Sequence, residues 1–229
     1  MGSKPRTERD LLVPLGMTGI LMAVYLLARP YGDVASTAAE RAAAFASPWW
    51  VVAHIAGALA LVGFGRLALR LADLEPDRFV TRLARWAGLA GVVLVLPYFG
   101  AETFALHVIG RHAAAGDTAL LALVAEIRNQ PVAITMFGLG LLLLAVAGIA
   151  FALAWTRRTG SRAAWPLGVL VALVLPQFYL PPVGRMAFGV AYLLTAVLLA
   201  VTVLRGDPTP DTRRGAASAG SASMATSSR

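Results

Sequence analysis

Glu102 is the residue in this chain whose type and place most need a chemical explanation. It stands in the stretch GAETFALH, inside an apolar run that covers residues 86–109. An ionised carboxylate in hydrocarbon costs about 2.5–3.5 kcal/mol unless it is paired or faces a cavity. Two readings follow. With its proton retained, a desolvated carboxyl aimed into an apolar pocket is a general acid that can protonate a carbon–carbon double bond or an epoxide. With its charge matched by an arginine, it is a structural anchor near the interface.

Other polar side chains fall at the same depth as Glu102. Tyr98 precedes it by four residues and shares its helical face, whereas His107 follows by five and diverges by about 140°, towards Thr103 or the headgroup region. His54, Thr135, Gln177, Tyr179, Arg185 and Tyr25 reach the same band from the other apolar segments. The set therefore reads as Glu102, Tyr98 and His54 in catalytic positions. His107, Thr135, Gln177, Tyr179, Arg185 and Tyr25 would contact an apolar or amphiphilic ligand.

Metal and cofactor chemistry finds little support in the sequence. There is no Cys, and the three His show no metal-ligand spacing such as HExxH. His54 and His107 raise the possibility of axial haem ligation, but haem proteins of the six-helix type carry paired histidines on two planes. No cofactor and no metal are expected. Nucleotide loops, nucleophile elbows and acidic clusters for magnesium diphosphates are also absent from the sequence.

The elements that must position these residues are membrane helices. With 58% hydrophobic residues and a mean hydropathy of +0.71, the chain is too apolar for a water-soluble domain. Crossing hydrocarbon takes roughly 20 apolar residues. Residues 11–28, 49–69, 86–109, 132–155, 164–180 and 186–204 meet or approach that requirement. The expected fold is all-α and polytopic, with about six transmembrane helices spanning 11–205, an N-terminal segment 1–10 and a disordered tail 206–229. Residues 86–99 and 165–178 match as WAGLAGVVLVLPYF and WPLGVLVALVLPQF, which fits three parallel helical hairpins as one option and chance as the other. Pro97 and Pro176 should bend both segments just before their polar residues. Trp49, Trp50 and Trp155 read as interface anchors.

The net charge of +8 is spread in short runs that flank the apolar segments, so anionic lipid headgroups are the expected counter-charge and nucleic acid is not. If the N-terminus lies inside, fifteen of the twenty Lys and Arg fall on the inner side. That bias predicts a bacterial inner-membrane protein with both termini cytoplasmic and the Glu102 band in the outer half of the bilayer.

The stretches GAETFALHVIG, GDTALLALVAEIRNQP and LPQFYLPPVGRMAFG resemble small membrane proteins of high-GC actinobacteria, a group that brings no assigned activity with it. By size, helix number and isolated intramembrane acid, the chain is also distantly similar in type to integral-membrane terpene cyclases. That resemblance implies metal-free acid catalysis on an isoprenoid or lipid-like substrate, with Glu102 as the proton donor. The second acid usual in such enzymes has no counterpart here, since Asp33, Glu40 and Asp117 fall in connecting loops. A lipid or small-molecule binder or transporter, and an accessory membrane protein without chemistry, remain the alternatives.

Overall fold

The structure, a computed structural model, describes residues 7–75 and 78–206, and all regular structure among them is helical. Five stretches are long and apolar enough to cross a membrane: Glu8–Ala28, Pro48–Leu74, Phe79–Ala114, Pro131–Thr159 and Pro182–Arg205. They contain α1 (Leu12–Ala28), α3 (Pro48–Leu74), α4 (Phe79–Gly100) running on into α5 (Leu106–Ala114), α7 (Pro131–Thr159) and α9 (Pro182–Gly206). The chain is thus an all-α polytopic membrane protein. The expected tail falls on residues 207–229, outside the described residues, and Gly206 itself still belongs to α9.

The sixth expected helix is a correction. Only α8 (Trp165–Ala172) is α-helical there, and the chain continues through turns to a 3₁₀ turn at Pro176–Tyr179. Proline lacks the N–H that would bond the carbonyl four residues back, so the helix stops at that carbonyl, Ala172. The broken element still runs from one end of the bundle to the other, because α7 finishes at the end opposite to that where α9 begins. At the first end, Arg158 near the close of α7 reaches Glu8 at 3.0 Å and Glu75 at 3.2 Å. At the second, Arg185 of α9 lines a cavity with Arg29 and Ile134.

The six crossing elements form a closed ring: α1 packs on α3, α3 on α4, α4 on α7, α7 on α8, α8 on α9, and α9 returns to α1. Between membrane helices the hydrophobic effect gives little drive, so close backbone approach supplies the packing. A Cβ on Gly91 would meet the Gly140 carbonyl at 2.8 Å, and one on Gly148 would meet the Gly168 carbonyl at 2.6 Å. Those two contacts hold α7 between α4 and α8.

Proline acts differently in the matching segment. After Pro97 the chain stays helical and widens into a π-helical turn at Ala101–Ala105, where the Leu106 N–H bonds the Ala101 carbonyl. The whole helix Phe79–Ala114 has 36 residues and is about 54 Å long at 1.5 Å per residue, well over a 30 Å hydrocarbon core. Its projecting part, α5, carries a cap. α2 (Ala38–Ala46) lies against it so tightly that a Cβ on Gly110 would collide with the Phe45 Cβ. Phe45, Trp50, Leu106 and Ile109 form a small core there, joined by Val124 and Ile127 of α6 (Ala122–Arg128). Trp49 is exposed, in keeping with an interface anchor. Trp50 and Trp155 are not anchors, because both are buried in the protein.

Candidate functional site

Caps fix the depth of the polar side chains. The Ser47 hydroxyl accepts the Trp49 N–H at 3.2 Å and Pro48 opens α3, which puts His54 in the second turn. The Gln130 side chain accepts the Ala133 N–H at 2.6 Å and Pro131 opens α7, which leaves Arg128 immediately before the helix and above its first turns. On α1 the helix ends at Ala28, and the Tyr31 hydroxyl donates to the Leu26 carbonyl at 2.6 Å, turning Arg29 and Asp33 back over the bundle.

These constraints assemble a four-residue charge cluster. Arg128 grips Glu102 with two bonds, Nε to Oε1 at 2.7 Å and Nη2 to Oε2 at 3.0 Å, and the same Nη2 reaches Asp33 at 3.2 Å. Arg29 donates to Asp33 at 2.7 Å and lies over the Trp50 ring, 5.1 Å from its centroid. Burial alone would lower the pKa of Arg128, but the bonds to Glu102 and the charges of Glu102 and Asp33 outweigh it and raise the group above its ordinary range. Arg29 is raised as well: burial opposes its charge, and Tyr25, Asp33 and Glu102 more than compensate. Both guanidiniums therefore stay charged.

The cluster borders a cavity of about 450 Å³ on the axis of the ring, within the usual range for small-molecule sites. Every crossing element contributes: Tyr25 from α1, His54 from α3, Tyr98 and Phe99 from α4, Phe137 and Gly138 from α7, Phe178 from the 3₁₀ turn and Arg185 from α9. One side is charged and the other aromatic, where Tyr98 stacks on Phe137 with centroids 4.3 Å apart. Exposed Ile134 and Tyr179 mark where it meets the surface. Arg185 donates to the carbonyls of Phe178 and Leu180 and has no carboxylate partner among the described residues. With Arg29, Arg128 and Arg185 set against Asp33 and Glu102, the lining carries one net positive charge. A second cavity of about 650 Å³, under α2 and α6, shares Asp33 and Arg128 with the first, so this ion pair is the partition between them.

The sequence-derived set is brought together in large part. Tyr25, His54, Tyr98, Glu102, Tyr179 and Arg185 line the one cavity. Three residues do not. Thr135 is exposed on the outer surface of α7, one residue off the face that carries Ile134 and Gly138 inward. His107 bonds the Phe45 carbonyl at 2.8 Å and serves the cap, not Thr103 or headgroups. Gln177 is buried beside the cavity lining, with its side-chain oxygen unpartnered. Arg29, Asp33 and Arg128 are the additions. Their signal lies in Glu102 itself, since an acid at that depth demands a cation, yet all three sit in connections whose folding back no local pattern announces.

The arrangement also decides what Glu102 offers. Both oxygens of the Glu102 carboxylate accept hydrogen bonds from the Arg128 guanidinium, the geometry of a bidentate ion pair. His54 and His107 line no common cavity, and among the described residues no three His, Asp or Glu side chains stand close enough to hold a metal ion. Compared with protein-family models, with curated proteins and with solved structures, the chain matches none.

Proposed function

We propose that this chain is an inner-membrane protein that binds an amphiphilic small molecule or lipid taken from the bilayer, with the cap on the outer face and both termini in the cytoplasm. One observation carries the binding role: a single cavity joins an aromatic wall of Phe99, Phe137 and Phe178 to a charged end whose Arg185 lacks a carboxylate partner among the described residues. An apolar tail fits the wall and leaves past Ile134, and a polar head fits the charged end. Fifteen of twenty basic residues on the side of Arg82 and Arg158 support the orientation. Binding or carriage is favoured over acid catalysis on an isoprenoid, because the Glu102–Arg128 pair supplies no free acid.

The test fills the cavity. A Cβ on Gly138 meets nothing within 4 Å, so Gly138→Leu can project into the space without a clash. Purified protein is exchanged into fresh detergent with radiolabelled monoolein or oleate as probe. Retention by the wild type and a loss of about tenfold or more in Gly138→Leu, with the melting temperature unchanged or raised, is the expected result. Equal retention by both proteins would place binding elsewhere.

A further inference from the structure

Two hydrogen-bond acceptors face each other across the charged end of the cavity with no proton between them. The Nδ1 of His54 lies 2.7 Å from the Trp50 carbonyl oxygen. A carbonyl can only accept, so in the neutral imidazole the ring proton is on Nδ1 and Nε2 presents a lone pair. That Nε2 stands 3.9 Å from Glu102 Oε2, beyond hydrogen-bond distance. Both arms of Arg128 already engage the carboxylate from the cap side, which leaves the remaining acceptor capacity of Oε2 for a donor from the cavity.

The pair is held rigidly. Trp50 accepts from His54 through its backbone carbonyl and donates its indole N–H to the Glu102 backbone carbonyl at 2.7 Å, so one residue sets the spacing of both acceptors. The imidazole packs against the Trp50 ring at 4.1 Å and edge-on to Tyr25 at 5.6 Å, which prevents it from turning. His54 is 2% exposed, so a partner for Nε2 must come from within the cavity. An imidazole nitrogen left unsatisfied at this depth is costly.

We infer that His54 Nε2 and Glu102 Oε2 read a ligand head that carries two neighbouring hydrogen-bond donors, of the diol or glycerol type. This rests on the cavity being a ligand site. A cationic amine would also supply donors, but it would enter a lining that already has one positive charge in excess. A neutral diol gives one hydroxyl hydrogen to each acceptor and adds no charge. Tyr25, which lines the same cavity and has no hydrogen bond to a described residue, can donate to an oxygen of the same head.

The experiment compares monoolein, whose head is a diol, with its bis-O-methyl ether, which keeps the shape and loses both donors. Unaltered protein is expected to bind the diol about tenfold or more tightly than the ether, and His54→Phe to narrow that ratio to about twofold. Protein labelled with ¹⁵N in its three histidines gives a readout that needs no variant: the diol should shift one Nε2 resonance and the ether should not. Equal binding of diol and ether, or a ratio that survives in His54→Phe, overturns the inference and leaves the cavity reading standing. If neither the diol nor the ether binds, both the inference and the cavity reading fall.

Discussion

Glu102 shows how little a residue type says until its partner is known. At 8% exposure an isolated carboxylate would be expensive, yet the bidentate bond from Arg128 turns it into half of an ion pair. The two roles weighed for it make opposite predictions for Glu102→Gln. Removing a desolvated proton donor should leave stability unchanged or raised. Breaking an ion pair should strand Arg128, whose second carboxylate, Asp33, then carries the compensation alone. A loss of about 2–3 kcal/mol is expected, somewhat under the cost of breaking a fully buried pair because Arg128 keeps that partner. The double variant Glu102→Gln with Arg128→Gln should recover most of the loss, since no uncompensated charge remains. Denaturation in detergent measures both, and a Glu102→Gln protein as stable as wild type would restore the proton-donor reading.

Among the elements, glycine spacing separates packing positions from cavity positions. Gly148 and Gly138 lie on the same helix, α7, but a Cβ on the first meets the Gly168 carbonyl at 2.6 Å and a Cβ on the second meets nothing within 4 Å. Gly148→Ala must therefore push α8 away from α7, at a cost of about 1–3 kcal/mol. Gly138→Ala keeps the packing and gains helix propensity, up to about 1 kcal/mol. Parallel thermal melts of the two single variants test this, and equal melting temperatures would contradict the packing assigned to α7 and α8. Proline likewise has two outcomes in segments of matching sequence. Pro97 is absorbed in a helix that widens to a π-turn, whereas Pro176 ends one, because α8 is only eight residues long and has few intrahelical bonds to carry it past the missing N–H.

For the whole molecule, the charged site lies at the cap end of the ring and the Arg158–Glu8–Glu75 contacts close the other. The orientation proposed from basic residues can be checked directly because the chain has no Cys. Ala115 and Arg82 are exposed at opposite ends of the long helix Phe79–Ala114. An impermeant thiol reagent added to intact cells should label Ala115→Cys and spare Arg82→Cys until the membrane is permeabilised. The reverse pattern would invert the protein and place the cavity mouth in the inner leaflet.

What the sequence determined by itself is what depends on composition and local spacing. Long apolar runs have one stable solution in lipid, the helix, because each backbone polar group must find its partner within the segment. That logic located the five long helices and the band of polar residues around Glu102, whereas at Pro176 it expected a bend in a sixth helix and the structure ends the helix at Ala172. It even placed Tyr25, His54, Tyr98 and Arg185 on one cavity, since depth along a helix can be counted from its ends. Tertiary structure alone decided the rest. Arg128 lies 26 residues from Glu102 and Asp33 lies 95 from Arg128, so their meeting depends on how two connections fold over the projecting end of α5. Those connections carry only the short helices α2 and α6, and no membrane-length apolar run fixes how they fold back. Thr135 lies off the cavity lining for the related reason that depth is legible in a sequence and the rotation of one helix against its neighbours is not: where all faces are apolar, nothing in the residue pattern tells the side that meets protein from the side that meets lipid.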